Sequence, residues 1–430
     1  MSETQALRKT TPRAEAGPAG LRHFADLISQ EIDGLLRARI VIGRRPFSAF
    51  QVCGCAGVII AAALGAFLAL RLGLAVWVIG ALLAAAALAF LEVVIVTKIL
   101  TGRETLVYYH HEIAALLHAA LILRILRQPM LPYLDITALG IGCFLAFGRT
   151  GCLLVGCCHG RPARTGIHYR QDHADAGFSP LLVGVPLVPV QAVEVVWVLL
   201  TVLAGAGWVI TGSRPGEAFA WYIAAYGIGR FCLEYWRGDP DRRQWGGTSE
   251  AQWISLLSVG FLLMEELEGR LPFHLWHAAT AVLFLGLMAL NATRQKRSGG
   301  LTHPKHVREI AQVLSRLARV PDDSPAVMVL ATSQGIRIST GTLRHKNERT
   351  VHYTLSRNGG SLSPEAAETL AQMILRLRRH ADSCSVVQGR GDVFHVVVGS
   401  SGALVPRDNR VEPVALALAR TAEKPLWNRV

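Results

Sequence analysis

Charged side chains are scarce in this chain. Asp, Glu, Lys and Arg make up 17% of its 430 residues, whereas an ordinary soluble domain carries about a quarter. Beside a hydrophobic content of 51%, that scarcity excludes a disordered polyampholyte, because enough apolar surface is present to bury several cores. A disulfide-stapled secreted module is excluded as well. The eight cysteines, Cys53, Cys55, Cys143, Cys152, Cys157, Cys158, Cys232 and Cys384, fall mostly in or beside apolar blocks and read as small buried hydrophobes. Apolar runs are also missing before about Gln51, so no signal peptide is expected. Carboxylates are outnumbered by basic groups, 31 to 44, leaving a formal charge of +13. Such a surplus suits nucleic acid, anionic headgroups or the positive-inside signal, and long apolar blocks favour the last two. A phospholipid membrane, not nucleic acid, is therefore the expected partner.

What is present is an order of blocks. Residues 1–20 are polar and expected to be disordered, and 21–42 carry Leu21, Phe24, Leu27, Ile28, Ile32, Leu35 and Leu36 at helical spacing, as in a helix lying on a membrane surface. Runs long enough to span about 30 Å of hydrocarbon lie near 51–70, 75–97, 106–126, 133–155, 189–210, 217–236, 251–267 and 273–291. The basic, glycine-ending RQKRSGG then marks a boundary. Beyond it the pattern predicts helix 304–319, strands near 326–331, 335–339 and 350–356, helix 364–380, and strands near 384–388 and 393–398. The expected architecture is an all-α polytopic membrane protein of seven or eight spans with a small C-terminal α+β domain. Its divisions are 1–46 (disordered segment and surface helix), 47–292 (membrane domain) and 300–430 (soluble domain). No metal, nucleotide or catalytic motif is visible in the last of these.

An ionised side chain in hydrocarbon costs at least about 2.5–3.5 kcal/mol on insertion scales, so each should face the bundle interior, pair, or serve function. Tyr226, Arg230, Glu234 and Arg237 stand at i, i+4, i+8 and i+11, one polar stripe. Packing alone would need only an Arg–Glu pair. In FGRTGCLLVGCCHGRPARTG (147–166) a helix runs into a loop of thirty-odd residues, and loops of that length are usually functional. Glycines 148, 151, 156, 160 and 166 permit tight turns, while Arg149 and Arg161 supply planar forks suited to phosphate. Cys152, Cys157, Cys158 and His159 raise a thiol or metal site as a rival reading. Their spacing departs from the two-to-four-residue separation of zinc ligands, adjacent cysteines make a strained bridge, and no metal or cofactor is expected. Tyr108, Tyr109, His110, His111 and Glu112 open a helix where a histidine could act as base, or where an interfacial aromatic belt could sit. Gln191 and Glu194 share a face in PVQAVE.

The order of these motifs resembles the prolipoprotein diacylglyceryl transferase family over roughly residues 45–270. The resemblance rests on Asp135, Gly148-Arg149-Thr150-Gly151, Gly160-Arg161, Pro189-Val190-Gln191-Ala192-Val193-Glu194 and Tyr226-Gly227-Ile228-Gly229-Arg230-Phe231-Cys232-Leu233-Glu234-Tyr235-Trp236-Arg237. It implies an inner-membrane enzyme that moves the diacylglyceryl group of phosphatidylglycerol to a lipobox cysteine in the signal region of a preprolipoprotein, releasing glycerol phosphate. Arg149, Arg230, Tyr109, His110, His111 and Tyr226 are then the catalytic candidates. Gly148, Gly151, Cys152, Cys157, Gly160, Arg161, Gln191, Glu194, Glu234 and Arg237 are the substrate-binding ones.

The chain also departs from the family. Cys152, Val155 and Cys157 replace signature asparagines and a glutamate. The family's histidine falls at Tyr109, and a tyrosine of the first helix is replaced near Gln51–Cys53. The alternative is a catalytically altered relative that binds phospholipid or modifies another acceptor, with its C-terminal domain as an interaction module. The family's orientation puts the N-terminus, the signature loop and, with eight spans, the C-terminal domain outside the cytoplasm. The basic turn Arg124–Arg127 agrees with it, whereas the two basic ends favour the reverse.

Overall fold

The computed structural model describes residues 19–102, 107–240, 242–298, 300–319, 328–345, 348–378, 381, 383–389 and 392–399. Most of the segment expected to be disordered, 1–20, lies outside them. The chain opens with α1 (Ala19–Leu35) and a short hairpin of β1 (Arg39–Ile42) and β2 (Arg45–Ser48). The surface helix expected to reach residue 42 therefore stops at Leu35. The β-branched run Ile40-Val41-Ile42 prefers a strand, and Gly43 at φ +64° makes the two-residue turn.

Each of the eight apolar segments forms a helix: α2 (Ala49–Arg71), α3 (Trp77–Thr101), α4 (Tyr108–Ile125), α5 (Met130–Val155), α7 (Val190–Thr211), α8 (Glu217–Leu233), α9 (Glu250–Leu267) and α10 (Leu275–Ser298). Between α5 and α7 the long loop holds β3 (Pro162–Ile167), the one-turn α6 (Gln171–Ala174) and a 3₁₀ turn at Pro180–Leu182. A two-residue hairpin of β4 (Gln244–Trp245) and β5 (Thr248–Ser249) precedes α9. Among the described residues, five helices are long and apolar enough to cross a membrane: α2, α3, α5, α7 and the Leu275–Thr293 part of α10. The others, α4, α8 and α9, have 17 or 18 residues and carry the polar groups discussed below.

Helix α5 lies at the centre, in contact with α2, α4, α7 and α8. Its fit to α7 and α8 depends on Gly142, where a Cβ would come within 2.4 Å of the Tyr222 ring. Outward-facing Ile59, Phe67, Leu91, Leu121, Leu200, Phe261 and Leu283 are exposed, as expected of side chains that meet lipid tails.

The C-terminal part contains α11 (Pro304–Leu317), β6 (Val329–Ala331), β7 (Ile336–His345), β8 (Glu348–Arg357), α12 (Pro364–Leu377), β9 (Ser383–Gln388) and β10 (Phe394–Gly399). The strands form one antiparallel sheet in the order β6-β7-β8-β10-β9. Alternate residues Phe394, Val396 and Val398 are buried, with Ile310, Leu314, Leu370 and Ile374 of the helices in the same core. The β7–β8 hairpin is longer than its apolar pattern predicts, because its far half is polar. Leu181 and Leu182 of the long loop pack against this core. In the same loop, Asp33 of α1 accepts from the backbone N–H of His168 at 2.7 Å. The N-terminal helix, the loop and the C-terminal domain thus adjoin one another.

Candidate functional site

The site starts from the tie between α5 and α8. Asp135, 3% exposed on α5, accepts the backbone N–H groups of Gly216 (2.8 Å) and Phe219 (2.7 Å) at the N-terminus of α8. A carboxylate there satisfies donors that no residue of α8 can reach, and it meets the positive end of the helix. Four turns along α5 from that tie stands Arg149, and it and Arg230 of α8 both reach Glu194 of α7.

Arg149 Nε lies 3.0 Å from Glu194 Oε2 of α7, with both side chains buried. The hydroxyl of Tyr226 donates to the other oxygen of Glu194 at 3.4 Å. One turn on, Arg230 Nη2 is 2.5 Å from Glu234 Oε1, and Arg242 pairs with the second Glu234 oxygen. Arg230 also interacts electrostatically with Glu194. Arg237 forms a two-point pair with Asp239, 2.7 and 3.0 Å. Arg161 joins the same group, donating from Nε to the Arg237 carbonyl at 3.1 Å. Five guanidiniums (Arg149, Arg161, Arg230, Arg237 and Arg242) face three carboxylates (Glu194, Glu234 and Asp239), an excess of two positive charges. Arg230 Nη1 is buried with no hydrogen-bond partner among the described residues, as is Gln191 Oε1. Outside the membrane helices, burial alone would raise the Asp239 carboxyl, but Arg237 and Arg242 override it and hold it below its ordinary value. Burial pushes the His159 imidazole down, toward the neutral form.

The helix opening at Tyr108 divides its polar residues. Tyr109 turns inward, its hydroxyl 2.8 Å from Ser255 Oγ and its ring 5.7 Å from that of Tyr226. His110 meets the first residue of α9, with Nε2 2.9 Å from Glu250 Oε1. His111 stacks on Phe90 of α3 at 4.5 Å and takes no part in the cluster. Of the glycines, Gly151 lets α5 approach α2, since a Cβ there would meet Phe50 Cα at 3.0 Å, and Gly160 lies against the Val188 carbonyl. Gly148 faces open space. Gln191 Nε2 donates to the Cys157 carbonyl at 2.9 Å, so it holds the loop, and Cys152 is buried at the end of α5. Sequence reasoning did not reach Arg242 and Asp239, whose RGDPDRR surroundings look like a solvated turn. Nor did it assign Asp135 its capping part, which becomes visible only once α8 is placed.

Residues 72–265 match the prolipoprotein diacylglyceryl transferase family. That range includes both arginine-bearing helices and the whole long loop, and it excludes α1, α2, α10 and the C-terminal sheet domain. The phosphatidylglycerol–prolipoprotein diacylglyceryl transferase of Clostridium tetani (strain Massachusetts / E88) is 30% identical over 130 residues, 30% of this chain and 50% of the relative. The second such transferase of Clostridium perfringens (strain 13 / Type A) is 32% identical over 142 residues, 32% and 53% of the two chains. That of Dehalococcoides mccartyi (strain ATCC BAA-2266 / KCTC 15142 / 195) is 33% identical over 129 residues, 29% and 46%. The chain spans about half the length of these curated relatives. The diacylglyceryl-transferase-like region is the part that gathers the five guanidiniums.

Proposed function

We propose that the protein is a multi-pass bacterial inner-membrane transferase that moves the diacylglyceryl group of phosphatidylglycerol to a thiol, such as the lipobox cysteine of a preprolipoprotein. The observation that carries this reading is the buried meeting of Arg149 and Arg230, from different helices, around Glu194 and Tyr226. In the transfer the thiolate sulfur forms a bond to the primary glycerol carbon, the C–O bond to phosphate breaks, and its electron pair leaves with glycerol phosphate. The thiol proton passes to solvent or a nearby base. Negative charge grows on the phosphate, where fixed guanidinium donors contribute most to the rate. Arg230 Nη1 is free to donate there. Glu194 orients Arg149, and Tyr226 orients Glu194. A thiol of pKa about 8.5 entering a cluster with two surplus positive charges gains thiolate fraction; His110, held by Glu250, is the histidine that could take its proton.

Eight crossings suit this reading. Helix α1 touches the long loop through Asp33 and His168, and the C-terminal core takes Leu181 and Leu182 of the same loop. These contacts support one side for all three, which calls for an even number of crossings between α1 and the loop and again between the loop and the C-terminal domain. Counting α4 with α2, α3 and α5, and α8 with α9, meets both conditions. The chain then divides at about 46 and 292–300.

The purified protein, incubated with labelled phosphatidylglycerol and a lipobox peptide, should release glycerol phosphate and form a thioether. Folded protein that does neither would refute the proposal.

A further inference from the structure

We infer that Cys152, Cys157 and Cys158 form a binding site for one thiophilic d¹⁰ cation, zinc(II) or copper(I), beside the guanidinium cluster. The three sulfur atoms lie within 4.8 Å of one another. Metal–sulfur bonds of about 2.3 Å put neighbouring sulfurs roughly 3.8–4.0 Å apart in tetrahedral or trigonal geometry, so closure needs shifts of under about 1 Å. Their spacing in sequence looks unsuitable only if the chain ran on as helix or strand. Instead Gly156, at φ +86°, ends α5, and Cys158 takes a left-handed backbone at φ +55°, which brings two sulfurs back over the one in the last helical turn. A side chain rarely adopts that conformation without a local reason. The loop is fixed in this shape: the Gly156 N–H reaches the Cys152 carbonyl at 2.9 Å, and Gln191 holds the Cys157 carbonyl.

The donor set selects the ion. Three sulfurs with no carboxylate in the group suit soft or borderline cations and not magnesium or calcium. Each thiol releases its proton to solvent on binding, leaving a net charge of −1 with zinc(II) or −2 with copper(I). The guanidiniums of Arg149 and Arg237 act on Cys158 and offset that charge. Cys157 is exposed and gives the ion a way in, while Cys152 is buried beneath it.

The test uses full-length protein in detergent micelles, fully reduced under inert gas, titrated separately with zinc(II) and copper(I), without lipid or peptide. It therefore stands apart from the transferase reading. One equivalent should bind, proton release should accompany it, and the three thiols should become resistant to alkylation. Replacing Cys152, Cys157 or Cys158 by Ser should weaken binding at least about 100-fold, and Cys384→Ser should not change it. Zinc uptake alone indicates a four-coordinate site completed by water, copper(I) uptake alone a trigonal one. No uptake of either ion by the reduced protein overturns the inference, as does undiminished binding by the triple Ser variant. Cys158→Gly, which tolerates the left-handed backbone, and thermal melting of every variant separate lost binding from lost folding.

Discussion

In the C-terminal domain buried His306 is fully occupied by its own fold: one ring nitrogen bonds the Leu301 carbonyl at 2.8 Å and the other Thr332 Oγ1 at 3.0 Å. The membrane region instead buries Arg149, Glu194, Arg230, Glu234 and Arg237, with Arg230 Nη1 unpartnered among the described residues. A neutral imidazole with both nitrogens bonded costs little to bury, whereas buried charges are costly, so the membrane region keeps its charged groups at an expense that packing alone does not call for. Self-contained networks hold a fold. A network with a surplus of one sign and a donor left over is arranged for something else to bind.

The contrast breaks first at the arginines. Arg149→Ala and Arg230→Ala should each reduce diacylglyceryl transfer by at least about 10³-fold, roughly 4 kcal/mol of transition-state stabilisation, while melting of the C-terminal domain is unchanged. Full activity in either variant would show that the cluster is structural after all. Asp135→Ala removes an acceptor of two buried N–H groups and should destabilise the membrane domain by about 3 kcal/mol, read as a lower melting temperature in detergent. Transfer should fall with it, because both arginine helices lose their alignment.

The C-terminal domain responds to pH for a reason of its own. His352 and His395 share a hydrogen bond of 2.9 Å across adjacent strands. Burial and then the neighbouring ring push His352 down to about 4, and burial lowers His395 as well. Both are neutral when folded, so below pH about 6.5 the unfolded chain takes up protons that the folded one refuses. Stability is complete above that pH and falls toward about pH 4. Partial exposure limits the loss to roughly 2 kcal/mol, and hydrogen exchange of β8 and β10 amides in the intact protein measures it. Replacing His352 by Phe should flatten the profile. The smallest effect is that of Ser363→Ala at the N-terminus of α12, where the hydroxyl accepts from the Ala366 N–H at 3.2 Å; about 1 kcal/mol is expected.

Much of the helical architecture was legible because apolar blocks about 20 residues long leave few alternatives, and all eight became helices. The polar stripe on α8 was legible for the same reason, since charges stand out against an apolar run. The short strands flanking the membrane helices were not: β1, β2 and β3 have four to six residues and neighbours distant in sequence decide whether they pair, whereas the apolar alternation of β9 and β10, six residues each, was legible. Tyr109, His110 and His111 were read as one group, yet a helix turns by about 100° per residue and sends the three to different partners, Ser255, Glu250 and Phe90. Nothing local in Asp135 says which N–H groups it will meet.

The Asp135 cap also bears on how the protein is made. Helix α8 has 17 residues and carries Arg230, so alone it is a poor candidate to enter a bilayer. Its unpaired N–H groups find their carboxylate on α5, which is synthesised about eighty residues earlier. During biosynthesis α5 would thus act as a receptor already waiting in the membrane. Substitutions at residue 135 should then appear as failed membrane insertion of α8 before they appear as lost chemistry, and glycosylation mapping of nascent chains would register the difference.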